Sequence, residues 1–430
     1  MLSFTVVVLL GLLALSVTAA ASVGILGLAL AELYSPLPLS NALGELAWGS
    51  SAEFLLVAIP LYVLMGELLV SSGVAGRMYG AVSKWVSWMP GGLMNANIGA
   101  SALFSATSGS SVATAATIST LALPEQRKAG YNAPLFLGSI AAGGTLGILI
   151  PPSINMIIFA LIANVSVPKL YLAATLPALV LTSLFILLIV GICLVRPDLA
   201  GERVTVTWRD RIESFPHLLP PLGIFVLVIG VIYGGIATAS ESAALGVIAA
   251  LLLAWYKGAL NVATLRRAFE STMRTTGMII LITLSAFFLN FVLSSIGLTS
   301  ALVDFVVGLD LSPMGTMIAL IIFYILLGCF MDTLAMLVTT APLTVPIVVA
   351  LGFDPIWFGV MLILLCEMGQ LTPPFGMNLF VVQSIRAEGK FIDVVYGALP
   401  FCGVLLLMLV LMLAVPDMVV WLPSLFSSIS

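Results

Sequence analysis

Apolar runs follow one another along almost the whole chain, and the polar residues between them gather in short clusters. The pattern lacks the strict alternation of a half-buried strand, and its runs of about 20 apolar residues read as membrane-spanning helices. Residues 2–32, 51–72, 170–195, 216–237, 238–256, 275–298 and 391–414 are such spans. Within the first, Thr18-Ala19-Ala20-Ala21-Ser22 resembles a signal cleavage site. No Lys or Arg precedes the run and it continues to Ala31, so it reads as an uncleaved span. The stretch 74–90 interleaves Arg77, Lys84, Trp85 and Trp88 with apolar positions, as an interfacial helix does.

Two stretches break the pattern. Gly369-Gln370-Leu371-Thr372-Pro373-Pro374-Phe375-Gly376-Met377-Asn378 lies inside an apolar tract, as does Gly147-Ile148-Leu149-Ile150-Pro151-Pro152-Ser153-Ile154-Asn155. A Pro-Pro pair lacks two N–H groups and frees carbonyls that hydrocarbon cannot satisfy, so each stretch predicts a broken helix lining a protected site. Pro151 and Pro373 stand 222 residues apart, and the same offset pairs Gly147 with Gly369, Pro124 with Pro346, Gly130 with Gly352 and Phe136 with Phe358. The chain contains itself twice. Broken helices at corresponding places in two repeats point to the binding site of a secondary transporter.

Charge sets the direction of each repeat. Lys and Arg concentrate at 77–84, 127–128, 196–211, 257–274 and 386–390, which the positive-inside rule places in the cytoplasm. The segments 33–50, 299–312, 349–355 and 415–430 have none and face outward, with Glu45, Asp304, Asp310, Asp354 and Asp417 among them. Residues 91–124 then begin and end on the cytoplasmic side. At about 1.5 Å per residue they are too short for two crossings and read as a re-entrant hairpin with its tip near 105–111. Residues 313–348 form the matching hairpin, entered from outside. The expected architecture is all-α and polytopic, with two inverted-topology repeats. The first span and outer loop occupy 1–50. Repeat 1 covers 51–195, with its broken helix at 131–165; linking loops and two spans cover 196–274; repeat 2 covers 275–430, with its broken helix at 355–385. The N-terminus is expected in the cytoplasm and the C-terminus in the periplasm.

Composition agrees with this reading. The 430 residues are 61% hydrophobic and 8% charged, with a mean hydropathy of +1.23, far from the roughly 25% charge of a soluble domain. The net charge of −4 has no basic patch, which argues against nucleic acid as a partner. There is no GxxxxGK[ST] phosphate loop for ATP. Four cysteines in apolar tracts without a CxxC pair, and the single His217, make no metal cluster, and no catalytic constellation of an enzyme is present.

Candidate chemistry lies at the tips and breaks. Ser108, Gly109, Ser110 and Ser111 at the first tip suit either tight helix packing or coordination of a cation by hydroxyl and backbone oxygens, and the neighbouring break favours binding. Asp332, followed by Thr333, occupies the position equivalent to Ser110. An ionised carboxylate within the membrane should face the bundle interior with a partner, and with no base nearby a bound cation is the natural one; capping of the hairpin tip is the alternative. Glu367 is a second intramembrane acid, either part of the pathway or a neutral acid packed between helices. Pro151, Pro152, Ser153 and Asn155 at one break, and Thr372, Pro373, Pro374, Gly376 and Asn378 at the other, offer free carbonyls for Na⁺ and half-helix N-termini for anions; the amides of Asn155 and Asn378 equally suit capping. Na⁺ is expected near Ser108, Ser110, Asp332, Thr372 and Gly376. Glu241, three residues after Thr238, reads as a helix cap.

These residues resemble a known family, the large membrane subunit (DctM-like) of tripartite ATP-independent periplasmic (TRAP) transporters. The likeness is carried by Gly91-Gly92-Leu93 with Asn95 and Ala100-Ser101, by Ser108-Gly109-Ser110, by Leu123-Pro124-Glu125 with Gly130-Tyr131, and by Ile150-Pro151-Pro152-Ser153. It continues through Thr238 to Ala244, Phe330-Met331-Asp332 and Leu371 to Leu379. One departure is Ala239-Ser240 before Glu241, where the family pattern has Pro and Thr. The resemblance implies an elevator-type transporter of the bacterial inner membrane, coupled to Na⁺ and independent of ATP. It implies uptake of an organic acid, a C4-dicarboxylate, sialic acid or 2-oxo acid, from a soluble periplasmic binding protein, beside a small membrane subunit encoded as a separate polypeptide. An H⁺-coupled transporter and a channel or scaffold subunit without its own cycle are the competing readings.

Overall fold

The computed structural model describes all residues except 16, 203–205, 310, 375, 387 and 427–430, so Asp310 and Phe375 lie outside the described residues. Among the described residues there is no strand. Six helices are long and apolar enough to cross a membrane, or up to eight if two bent pairs each count as one span. This is an all-helical, multi-pass membrane protein.

The first apolar run holds two helices, α1 (Leu2–Ala14) and α2 (Ala19–Tyr34), where the sequence suggested one span over 2–32. Thr18 is extended (φ −58°, ψ 145°), so the chain cannot continue helically through it. After α3 (Leu43–Ser51) and α4 (Ala58–Ser71), α5 (Val74–Val86) buries Val74, Ala75, Met78, Tyr79 and Val82 and exposes Arg77 and Lys84. That is the one-sided pattern of a surface helix.

Helices α6 (Gly92–Ser108) and α7 (Ser111–Ala129) form a hairpin joined by Gly109 and Ser110 alone. Helices α8 (Ala133–Leu149) and α9 (Ile154–Ala163) follow, bent by 42° at the intervening residues, and α10 (Val167–Val195) returns. The short α11 (Trp208–Ser214) is capped by Thr207 and Asp210, whose hydrogen bonds with Thr207 hold its carboxyl below the usual carboxylate range. Next come α12 (Leu219–Tyr233) and α13 (Ala239–Tyr256), the latter started by reciprocal Thr238–Glu241 bonds, so Glu241 is a capping residue.

The stretch 257–274, read as a loop, is mostly helix: α14 runs unbroken over Val262–Ser295. Asn261 caps it by accepting from Thr264 N at 2.8 Å, and the Arg266–Glu270 pair four residues apart supports the charged first turns. Charge marks where a helix leaves the membrane, not where it ends. Helix α15 (Leu298–Val307) leads to a second hairpin, α16 (Pro313–Gly328) with α17 (Thr333–Ala350). A second broken helix, α18 (Pro355–Leu371) with α19 (Met377–Arg386), precedes α20 (Phe391–Ala414) and α21 (Asp417–Phe426).

Packing sorts these helices into two groups. In the first, α4 meets α13 and α14, and α14 meets α2. Tyr62 on α4 donates to Ala239 O (3.1 Å) and bonds Ser242 Oγ (2.9 Å) of α13. In the second, α8 is central and contacts α6, α7, α18 and α20. Helices α8 and α20 approach so closely at Gly138 and Gly397 that a Cβ on Gly138 would strike Gly397 O, and one on Gly397 would strike Pro134 O. Backbone oxygens cannot swing away. Gly397→Ala should therefore cost about 3 kcal/mol and lower the melting temperature of the purified permease. Gly403→Ala on the same helix, where a Cβ meets nothing within 4 Å, should leave it unchanged.

Candidate functional site

The first tip is a turn that only glycine fits easily. Gly109 has φ +60°, and a Cβ there would lie 2.8 Å from Pro152 O of the first break. Ser110 is extended and starts α7, its hydroxyl accepting from Ala113 N at 3.4 Å. Thr114 Oγ1 donates to Ser110 O (2.8 Å) and pairs with Ser108 Oγ (3.0 Å), so the tip's hydroxyls are held in one network. Ser111 is buried and donates to Glu367 Oε1 at 2.6 Å. From the other group of helices, Gly66 of α4 brings its backbone against Ser108.

At the first break, Pro151 and Pro152 are buried and joined by a cis peptide bond. Ser153 caps α9 by accepting from Met156 N at 3.4 Å. Tyr171 of α10 holds this corner with one hydroxyl, donating to Ser153 O (3.2 Å) and accepting from Ser153 N (3.3 Å). Asn155 is 4% exposed, with no partner for its Nδ2.

The second break repeats the motif with different chemistry. Pro373 and Pro374 are again cis. Thr372 is extended, and its hydroxyl donates back to Met368 O at 2.6 Å. Gly376 is buried, and a Cβ on it would lie 2.7 Å from Gln370 O and 3.0 Å from Thr372 O. Two main-chain oxygens therefore crowd the face of Gly376 where a side chain would stand. Asn378 is fully buried, its Nδ2 donating to Ala141 O of α8 at 3.3 Å, and its Oδ1 has no partner.

At the second tip the acid takes the capping role that the sequence offered as an alternative. Asp332 keeps solvent-accessible surface within the mass of the bundle, and its carboxylate caps α17 by accepting from Leu334 N at 3.1 Å. The helix N-terminus supplies the donor and a positive dipole end. No hydrogen bond joins it to Ser108, Ser110, Thr372 or Gly376 among the described residues. Thr333 beside it is buried and accepts from Gln370 Nε2 at 3.3 Å. The fully buried acid is Glu367, which takes Ser111 Oγ and Ile148 N (3.3 Å) on the same oxygen.

Each tip thus meets the break nearer to it in sequence, Gly109 against Pro152 and Thr333 against Gln370. The helices at the second break also reach Ser111 and Ala141 through Glu367 and Asn378, contacts that sequence reasoning did not find. The available signal was the run Gly143-Gly144 and Gly147 on α8, where small residues mark close approach; Tyr171 left no signal at all. Two large cavities lie outside the tips and breaks. One, of ≈ 890 Å³, is bordered by Glu45, Glu53, Asn164 and Asn290; the other, of ≈ 860 Å³, by Lys84, Lys128, Tyr131 and Asp210. Neither is lined by a tip or break residue.

Comparison with known proteins agrees with this architecture. The family model described as tripartite ATP-independent periplasmic transporter, DctM component, matches residues 6–418. The chain is 30% identical to the C4-dicarboxylate TRAP transporter large permease protein DctM of Vibrio cholerae serotype O1, over 97% of this chain and 96% of that one. It is 31% identical to the sialic acid TRAP transporter large permease protein SiaM of the same organism, covering 88% of each. Among solved structures, the Alcanivorax borkumensis YdaH transporter superposes with a TM-score of 0.63 at 17% identity, covering 94% of this chain and 97% of that one, a likeness of fold. With the family matched from end to end and its relatives named as permeases, this chain belongs to the DctM family, the large permease component of TRAP transporters.

Proposed function

We propose that this permease is the transport subunit of a Na⁺-coupled importer of an organic acid, of the C4-dicarboxylate, sialic acid or 2-oxo acid class. The observation that carries the reading is the docking of each helix break under a hairpin tip. Main-chain oxygens of Gln370 and Thr372 crowd Gly376, and Pro152 O crowds Gly109, in a bundle whose α7, α8, α9, α17 and α18 hold no Lys or Arg outside the last turn of α7. Such oxygens suit Na⁺. The helix N-termini at Ser111, Ile154, Thr333 and Met377 carry positive dipole ends suited to a carboxylate, so bound Na⁺ and these ends together supply the positive charge that side chains do not.

Inverted repeats are supported by an exchange of contacts: α7 packs on α19 while α17 packs on α9, which the 222-residue offset interchanges. In the elevator reading, the group around α8, carrying both hairpins, moves against the group around α4, α13 and α14. The site residues on this reading are those of the tips and breaks, with Na⁺ near Ser108, Ser110, Asp332, Thr372 and Gly376. Orientation follows the Lys and Arg clusters, with the N-terminus in the cytoplasm and the C-terminus in the periplasm of the inner membrane. Substrate arrives on a periplasmic binding protein, and a small TRAP membrane subunit completes the complex.

The test is uptake by proteoliposomes holding the permease with its small subunit, supplied with the binding protein and the acid it retains in a thermal-shift screen of the three classes. An inward Na⁺ gradient should drive accumulation. The buried Glu367 favours one rival, H⁺ coupling, which would instead make uptake follow an imposed pH gradient and ignore Na⁺.

A further inference from the structure

Glu367 and Gln370 stand three residues apart on α18, on neighbouring positions of the helix surface, and reach different hairpins. Glu367 Oε1 accepts from Ser111 Oγ at 2.6 Å, and Gln370 Nε2 donates to Thr333 Oγ1 at 3.3 Å. Ser111 is the first residue of α7 and Thr333 the first of α17, and the two are equivalent at the 222-residue offset. One turn of one helix therefore holds the hydroxyls that begin the second arm of both hairpins. The contact with Ser111 is built, not incidental. Glu367 has no exposed surface, and its Oε1 also takes Ile148 N at 3.3 Å, three residues before Pro151 of the other break. Gly147 clears the approach, since a Cβ there would lie 2.5 Å from Ser111 N. Beyond the second break, Asn378 Nδ2 donates to Ala141 O, so that break is tied to the first repeat on both of its flanks.

We propose that Glu367 is a positioning residue that yokes the first hairpin tip to the second helix break, so that the two half-sites bind Na⁺ as a unit. The inference rests on the Na⁺-coupled reading above. Without the yoke, Ser110 and Thr372 are set by separate halves of the bundle. Each half-site then orders on its own when the ion arrives, and Na⁺ binds more weakly.

The experiment is thermal unfolding of the purified permease, with its small subunit, across a series of NaCl concentrations balanced with choline chloride, because an ion that binds only the folded state raises its melting temperature. Wild type should show a saturable, Na⁺-specific rise. Glu367→Leu should shift the NaCl midpoint upward by about tenfold, and Ser111→Ala should shift it in the same direction. The double variant should be no worse than Glu367→Leu alone, since both remove one contact. Glu367→Gln, which keeps an oxygen for Ser111 and Ile148, should recover most of the wild-type midpoint. A purely structural role would lower melting equally in choline chloride and leave the midpoint in place, and that result would overturn the proposal, as would independent, additive shifts from Ser111→Ala and Glu367→Leu. If Glu367→Leu does not fold, Ser111→Ala and Glu367→Gln decide: an unshifted midpoint in Ser111→Ala overturns the proposal. A wild type indifferent to Na⁺ over choline removes the Na⁺ reading itself and this inference with it.

Discussion

Asp332→Asn is expected to leave the permease folded while lowering Na⁺-driven uptake by about tenfold or more, the scale of losing one charge beside a bound cation. The substitution is well suited to the site because Asp332 caps α17, its carboxylate accepting from Leu334 N. Asparagine caps a helix about as well as aspartate. The change therefore removes the negative charge and keeps the local geometry, so a loss of uptake at an unchanged melting temperature reports on charge alone. Asp332 stands at a hairpin tip and keeps accessible surface there, so an arriving ion can reach it. Uptake and thermal unfolding on the same preparation check it. Unchanged Na⁺-driven uptake would reduce Asp332 to a cap.

Gly147→Ala should be more damaging still. A Cβ at this position would lie 2.5 Å from both Cα and N of Ser111 and 2.6 Å from the carbonyl carbon of Ser110. All three are backbone atoms, and no rotamer relieves the clash. Either α8 or the hairpin tip must shift, at a cost of about 1–3 kcal/mol. The shift falls on Ser110, on the Ser111–Glu367 bond and on the Pro151 break together. Uptake should fall to background, and the melting temperature should drop with it. Gly191→Ala on α10, where a Cβ meets nothing within 4 Å, is the matched control and should behave as wild type.

Much of the architecture is legible from residues whose backbone chemistry is unusual. Pro151-Pro152 and Pro373-Pro374 fall in the gaps between α8 and α9 and between α18 and α19, because a pair of prolines cannot continue a helix. Gly109 and Ser110 sit at the turn between α6 and α7, where a positive φ and a cap are both needed. The length of α14 was hidden because Arg266, Glu270 and Arg274 suggest a loop in hydropathy yet sustain a helix in water. The break between α1 and α2 was hidden for the opposite reason, since Val17 and Thr18 look like any other membrane-compatible residues.

The site was legible in its parts and not in its connections. Serines, prolines and amides at the tips and breaks announce themselves by being polar in an apolar tract. Which of them touch is decided by how α8 packs against α7 and α18. Ser111 and Glu367 are 256 residues apart, and the fixed offset pairs Glu367 with Thr145 and Ser111 with Thr333, so no repeat alignment brings them together. Asp332 was expected in the bundle because burial of an acid within the membrane demands a partner. The free N-terminus of α17 meets part of that demand, as the capping alternative has it.

The most direct measurement is simultaneous flux. Proteoliposomes carrying the permease and its small subunit, given the loaded binding protein and ²²Na⁺ outside, should admit labelled acid and ²²Na⁺ together, in a fixed ratio and with the same time course. Acid entry without ²²Na⁺ entry, or entry that tracks an imposed pH gradient in the absence of Na⁺, would contradict the assignment.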